Sequence, residues 1–135
     1  MSIQHEISSV ETFHKAFHLT VNEQPTADLG DQIHLLRFNL MKEENEEYLE
    51  ATKNGDLVEI ADALGDMLYI LCGTIVSHGL QDKMQSVFNE IQQSNMSKLG
   101  EDGKPIYRED GKVLKGPNYF KPNLKQFFDE KLKSE

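Results

Sequence analysis

Two long segments with helical periodicity, residues 31–53 and 57–77, are separated by only three residues, Asn54, Gly55 and Asp56. An Asn-Gly pair is typical of the end of a helix, and an aspartate directly after it suits the N-cap of the next helix. Two helices joined by so short a turn pack antiparallel. The turn therefore predicts a helical hairpin at the centre of the fold.

Shorter helices are predicted on both sides of this hairpin. Residues 6–19 and 81–95 have apolar side chains at helical spacing, and a short C-terminal helix is predicted from Asn123 to about Lys133. No internal repeat is visible, and no strand pattern is strong enough to predict a sheet. The expected fold is all-α: one domain, residues 1–135, with a four-helix core of antiparallel helices, a long irregular tail and a short last helix.

The tail, residues 98–122, contains four glycines and three prolines and cannot form one long helix. A stretch of this length without regular structure is either functional or disordered. A small hairpin at residues 106–114 is compatible with the sequence. Residues 98–125 also hold seven of the 14 Lys and Arg residues of the chain, so the tail is a candidate for phosphate binding.

The formal net charge of −9 argues against a generic nucleic-acid-binding protein, because attraction to phosphates needs a basic surface. The charged first twenty residues do not look like a signal peptide, and no run approaches the roughly 20 apolar residues of a membrane span. The single Cys72, expected to be buried, excludes an internal disulfide and fits a reducing compartment. We therefore expect a cytoplasmic protein without nucleic-acid or membrane partners.

Acidic residues occupy unusual positions on the second predicted helix. On a helical wheel Glu44 and Glu47 fall on the stripe that carries Ile33, Leu36 and Leu40, the face expected to pack inward. The other glutamates of this run lie at the edge of the stripe or toward solvent: Glu43, Glu46 and Glu50. Read alone, such a run is most simply a solvated face, but the positions of Glu44 and Glu47 favour a functional cluster.

The third predicted helix repeats this pattern. Glu59, Asp62 and Asp66 share one face at i, i+3 and i+7, on a helix that is apolar on nearly every other side and is therefore predicted to be buried. No Lys or Arg lies between Lys53 and Lys83. Two carboxylates about 4 Å apart repel by ~4 kcal/mol at an effective dielectric constant of 20.

Protonation, a basic side chain from elsewhere or a divalent cation must offset this repulsion. Arg37 is the one basic neighbour expected near the cluster, so a cation is favoured, and ligands that are all oxygen favour Mg²⁺, with Mn²⁺ as an alternative. The candidate metal ligands are Glu44, Glu47, Glu59, Asp62 and Asp66.

These residues resemble the all-α nucleotide pyrophosphohydrolase superfamily, which includes MazG-like proteins, dimeric dUTPases and phosphoribosyl-ATP pyrophosphohydrolase. The two motifs of that superfamily, E-E-x-x-E and E-x-x-D, read here Glu43-Glu44-x-x-Glu47 and Glu59-x-x-Asp62. The resemblance extends over about residues 10–124. It implies Mg²⁺-dependent hydrolysis of a nucleoside or deoxynucleoside triphosphate between the α and β phosphates.

The resemblance also implies roles for the acids. Glu44 and Glu47, with the two acids of the second motif, would hold metal, and Glu43 would bind a further metal or orient the attacking water. The catalytic candidates are thus Glu43, Glu44 and Glu47. A second frame stays open, in which Asp66 is the motif aspartate and Ala63 replaces the glutamate, because only eleven residues separate Glu47 from Glu59.

Candidate substrate contacts lie in three parts of the chain. Phe13, His14 and Phe17 could form a base pocket in the first helix, Arg37 precedes the acids, and the remaining candidates lie at the end of the fourth helix and in the tail. The set proposed for substrate binding is His14, Phe17, Arg37, Asn95, Lys98, Lys115 and Tyr119.

Other functions compete with this interpretation. A ferritin-like di-iron bundle needs two Glu-x-x-His motifs, and the chain has one, Glu11-x-x-His14. Hydrolysis of phosphoribosyl-ATP and a non-catalytic acidic helical module stay open as alternatives. The third helix has more apolar surface than one small helical layer can cover, so we expect a homodimer or homotetramer.

Overall fold

The computed structural model describes residues 2–128, and within them the chain forms four α-helices and no strand. The helices are α1 (Gln4–Ala16), α2 (Asp31–Lys53), α3 (Leu57–Ser77) and α4 (Met84–Met96). The all-α prediction is confirmed. The chain divides into two compact units, Met1–Asp82 and Lys83–Glu135, which are described separately below. The expectation of a single domain stays a prediction.

The α2–α3 hairpin has the predicted bounds. The Asp56 side chain accepts a hydrogen bond from the Glu59 backbone N–H at 3.1 Å and so caps α3, while Gly55 takes the left-handed conformation that ends α2 (φ 63°). Arg37, early in α2, donates to the Ile70 carbonyl and the Thr74 hydroxyl, late in α3. This register confirms that the two helices are antiparallel.

The bounds of the shorter helices differ from those predicted by a few residues. The first helix was predicted over 6–19, but α1 ends at Ala16 because His18 is left-handed (φ 58°) and the Leu19 N–H donates back to the His14 carbonyl. Its apolar side chains Ile7 and Val10 are buried. The fourth helix was predicted from residue 81 and begins at Met84, after a turn.

The apolar side chains of α3 that lie opposite its acidic face are mostly exposed in the single chain. Leu57 is 76% exposed and Leu64 49%, whereas Ile75, near the other end, is buried. The helix is therefore not buried as predicted, because residues 2–128 provide no element that covers this side. By length and composition alone α3 could cross a membrane. This property differs from the expectation that no segment of the chain is apolar enough for a membrane span. That is weak support for a membrane span, since core helices of soluble proteins share these properties.

The second unit consists of α4 and the irregular tail. Tyr107 and Val113 form an isolated antiparallel bridge, flanked by a hydrogen bond from the Leu114 N–H to the Ile106 carbonyl at 2.8 Å, so the small hairpin is present. The Ser94 hydroxyl of α4 donates to the Phe120 carbonyl at 2.8 Å and fastens the tail to the helix. The predicted last helix appears as a 3-10 turn at Lys125–Phe127, and its remainder lies outside the described residues.

Candidate active site

Glu44 of α2 lies in an unfavourable electrostatic environment. One of its carboxylate oxygens, Oε2, is shielded from solvent and has no hydrogen-bond partner. Burial, followed by the carboxylates of Glu47, Asp66 and Asp62, raises the pKa of Glu44 from 4.5 to about 7. The structure therefore brings three of the other four predicted metal ligands, Glu47, Asp62 and Asp66, close enough to oppose the ionisation of Glu44.

The remaining acids occupy different surroundings. Glu59 is exposed near the start of α3, and its carboxylate is not among the groups that raise the pKa of Glu44. Glu43, Glu46 and Glu50 are exposed on α2, and Glu46 lies 3.9 Å from Lys42. Asp66 thus lies in the acidic cluster together with Asp62, which favours its participation whichever motif frame applies.

These carboxylates suit a hard divalent cation by their chemistry. All the donors are oxygens, and the solvent-shielded Glu44 Oε2 lacks a partner that a cation would supply. Within residues 2–128, no three acidic, histidine or cysteine side chains are already arranged to hold a metal ion. Binding would therefore require carboxylate side chains to rotate toward a common point.

Arg37 and His14, two of the predicted substrate contacts, are built into the interior of the first unit. The Arg37 guanidinium donates to the Thr74 hydroxyl at 3.0 Å and to the Ile70 carbonyl at 2.8 Å, and burial lowers its pKa. His14 is buried, and its Nδ1 donates to the Thr20 carbonyl at 2.9 Å. These contacts give both side chains structural roles, and their substrate contacts stay predictions.

Glycine at position 73 of α3 makes this arrangement possible. A β-carbon there would lie 2.5 Å from Arg37 Nη2 and 2.6 Å from His14 Nε2. Both side chains therefore occupy the space that any other residue would need. The absent side chain lets α1 and α2 each bring a polar group against the same point of α3.

Three aromatic rings lie together beside α3. The ring centres of Phe13 and Phe17 are 4.5 Å apart, and those of Phe13 and Tyr69 are 5.5 Å apart with the planes nearly perpendicular. Tyr69 follows Asp62 and Asp66 at i+7 and i+3, so it shares their face of the helix. Tyr69 is not among the residues predicted from the sequence, because it was interpreted as one more apolar residue of a buried helix, although its spacing from the acids is visible in the sequence.

The predicted contacts of the tail lie in the second unit. Lys115 Nζ lies 4.8 Å from the centre of the Tyr119 ring, a cation–π contact that holds the lysine in place. Lys98 is half-buried just after α4, and Asn95, in the last turn of that helix, is exposed. Their contacts with phosphate stay predictions.

We expect Lys98→Ala and Lys115→Ala each to lower kcat/KM by roughly 10- to 100-fold, the value of one charge-assisted hydrogen bond to phosphate. The loss should appear with little change in the unfolding midpoint, because neither amine forms an ion pair in residues 2–128 and the cation–π contact of Lys115 is worth only ~0.5–1 kcal/mol at an exposed site. Steady-state kinetics and thermal unfolding measure the two effects. Lys104→Ala, in the same tail, is the control. Wild-type kinetics in both lysine variants would make the tail an ordinary solvated loop.

Comparison with known proteins decides the family. Residues 10–95, well over half of the chain, match the phosphoribosyl-ATP pyrophosphohydrolase family. The chain belongs to this family. Its members are pyrophosphohydrolases, so the protein is a hydrolase that acts on pyrophosphate bonds. The match covers α2 and α3 and thus every acid of the cluster.

A solved structure supports the same assignment for this pyrophosphohydrolase. The crystal structure of a proposed NTP pyrophosphohydrolase from Exiguobacterium sp. 255-15 is 27% identical in sequence and aligns over 96% of both chains with a TM-score of 0.53. No curated protein matches the chain. The resemblance to the all-α pyrophosphohydrolase superfamily is thereby confirmed.

Proposed function

We propose that the protein hydrolyses a nucleoside or deoxynucleoside triphosphate between the α and β phosphates, yielding the monophosphate and pyrophosphate, with Mg²⁺ as cofactor and Mn²⁺ as a substitute. One observation carries the proposal. Glu44 Oε2 is shielded from solvent without a partner, while Glu47, Asp62 and Asp66 oppose its ionisation. A cluster that repels itself in this way is stabilised by a divalent cation, and a triphosphate could not approach it without one.

Each group in the cluster has a proposed role. Glu44, Glu47, Asp62 and Asp66 would hold the cation, with Glu59 as a further ligand. When bound, Mg²⁺ supplies charge neutralisation at the phosphate oxygens and lowers the pKa of water. Glu43, exposed beside Glu44, would accept a hydrogen bond from the attacking water and orient it. Lysines of the tail would bind the outer phosphates.

The proposal is tested by metal dependence and by the products formed. Turnover of a triphosphate should cease in excess chelator and return when Mg²⁺ or Mn²⁺ is added. The products should be the monophosphate and pyrophosphate, resolved by ion-exchange chromatography. Full activity in chelator would overturn the metal role, and a diphosphate with orthophosphate as first products would overturn the proposed cleavage position.

Phosphoribosyl-ATP is the second candidate substrate, favoured by the family that residues 10–95 match. It carries the same triphosphate and would use the same acids. Comparing kcat/KM for phosphoribosyl-ATP with that for the canonical triphosphates decides between a biosynthetic enzyme and one that removes free nucleotides.

We also propose that the protein is a cytoplasmic homodimer or homotetramer. The exposed apolar side chains of α2 and α3 support this, because leucines such as Leu35, Leu49, Leu57 and Leu64 are each about half exposed or more. A surface of this kind is typical of a subunit interface. Light scattering over a range of protein concentrations measures the assembly.

A further inference from the structure

A cavity of about 310 Å³ lies between α1 and α3, and the proposed roles of the acids assign it no occupant. Its size is at the lower end of the ~300–1,000 Å³ of small-molecule pockets. It mixes apolar walls with a few polar groups, as ligand pockets do. Its lining includes His5, Glu6 and Ser9 of α1 and Gly65, Tyr69 and Cys72 of α3.

The cavity and the acidic cluster occupy the same stretch of α3, although no carboxylate of the cluster lines the cavity. Gly65, in its wall, is the residue before Asp66, and Tyr69 lies three residues beyond, about 4.5 Å along the helix axis. A β-carbon on Gly65 would meet nothing within 4 Å, so this wall is open. Measured along the helix axis, a ligand in the cavity would therefore lie within about one helical turn of Asp66, one of the carboxylates proposed to hold the cation.

Tyr69 gives the cavity an aromatic wall. Its ring is held nearly perpendicular to that of Phe13, with centres 5.5 Å apart, and is 44% exposed. One contact of this kind uses at most one face of each ring, so a face of Tyr69 is left for another planar group. Nucleobases stack on such rings whatever their identity.

Glu6 places a hydrogen-bond acceptor on the α1 wall. Burial raises the pKa of the Cys72 thiol, and the negative charge of Glu6 raises it further. The Glu6 carboxylate is therefore close enough to Cys72, a buried residue of the cavity wall, to influence its ionisation. An ionised carboxylate only accepts hydrogen bonds. It therefore favours a base edge that carries an amino group and opposes one that presents a carbonyl oxygen.

We propose that this cavity receives the nucleobase of the substrate, with Tyr69 stacking on the ring and Glu6 selecting bases with an exocyclic amino group. The inference rests on the proposed function, because it takes the phosphates to bind the cation that the neighbouring acids are proposed to hold. It predicts that cytosine is preferred to uracil and adenine to hypoxanthine, two pairs in which an exocyclic amino group replaces an oxo group and the adjacent ring nitrogen loses its proton.

The test compares kcat/KM for CTP with UTP and for ATP with ITP. The wild-type enzyme should prefer the amino member by roughly 10- to 100-fold, the value of a hydrogen bond to a charged group. Glu6→Gln keeps the size and adds an N–H donor, so the preference should vanish or reverse, mainly through KM. Glu11→Gln is the matched control, because Glu11 is on the same helix and pairs with Lys15 at 3.3 Å. A wild-type preference for the oxo bases, or an unchanged preference in Glu6→Gln, overturns the inference.

A binding measurement separates this inference from the proposed function. The chain has no tryptophan, so Tyr69→Trp places a single fluorescent indole on the cavity wall. CMP should quench its emission at lower concentration than UMP, and the added change Glu6→Gln should abolish the difference. Such quenching in a protein without triphosphate turnover would retain the base site and reject the proposed reaction. Normal turnover with equal quenching by CMP and UMP would retain the proposed reaction and reject the base site.

Discussion

Glu44→Gln should lower kcat/KM by at least ~100-fold, because it removes a negative charge from the proposed metal ligands, and even supporting groups around a metal are worth ~10- to 100-fold. Glutamine keeps the length and shape of the side chain, so packing is retained. Steady-state kinetics at saturating Mg²⁺, with the metal affinity measured by titration, show whether the loss arises from metal binding.

The same substitution should stabilise the metal-free protein. The pKa of Glu44 is raised from 4.5 to about 7 in the folded protein. Between these two pH values the folded state keeps a proton on Glu44 that the unfolded chain has released. Stability of the metal-free wild type should therefore fall as the pH rises from about 4.5 to about 7, and this fall should be smaller in Glu44→Gln. Thermal unfolding of both proteins in chelator, measured across this pH range, detects the difference.

Neighbouring glutamates supply the controls for this prediction. Glu46→Gln removes a charge from the same run of acids, but Glu46 is exposed and lies near Lys42, so stability should change by no more than about 0.5 kcal/mol. Glu47→Gln should behave like Glu44→Gln in activity, because the Glu47 carboxylate acts on Glu44. Equal effects at Glu46 and Glu47 would contradict the assignment of the ligands.

The helices and the acidic cluster were predictable because their signals are local. Asn54, Gly55 and Asp56 define the turn between α2 and α3, and the wheel position of Glu44 anticipated a half-buried carboxylate with a shielded oxygen. The wheel was less accurate for Glu47, which is exposed although it acts on Glu44. A wheel gives direction around one helix, but exposure depends on what packs against that side.

Other parts of the site depended on contacts between helices that no local pattern encodes. His14 and Arg37 were predicted as substrate contacts from their positions, yet their ring and guanidinium meet at Gly73 through the packing of α1 and α2 on α3. Tyr69 gains its place in the site from the ring of Phe13, 56 positions earlier in the chain. Such roles become visible only when the distance in space is known.

Two glycines of α3 allow the packing around Gly73 to be tested with opposite expected signs. Gly73→Ala introduces a β-carbon 2.5 Å from Arg37 Nη2 and 2.6 Å from His14 Nε2. Neither group can move freely, since Arg37 is bonded to Ile70 and the buried His14 to Thr20. Overpacking of this kind costs ~1–3 kcal/mol, which equals or exceeds the ~1 kcal/mol that alanine gains over glycine within a helix.

Gly65→Ala makes the same chemical change eight residues earlier, where a β-carbon would meet nothing within 4 Å. Only the gain in helix propensity applies there, so this variant should be more stable than wild type by up to ~1 kcal/mol. Urea unfolding of the metal-free proteins should therefore rank Gly65→Ala above wild type and wild type above Gly73→Ala. The loss in Gly73→Ala should be accompanied by lower activity, because displacement of Arg37 disturbs the α2–α3 register that brings Glu44 to Asp62 and Asp66. If Gly73→Ala is as stable as Gly65→Ala, the Arg37 guanidinium and the His14 imidazole are not fixed against Gly73. The close approach of α1, α2 and α3 at Gly73 would then not be what positions the acids.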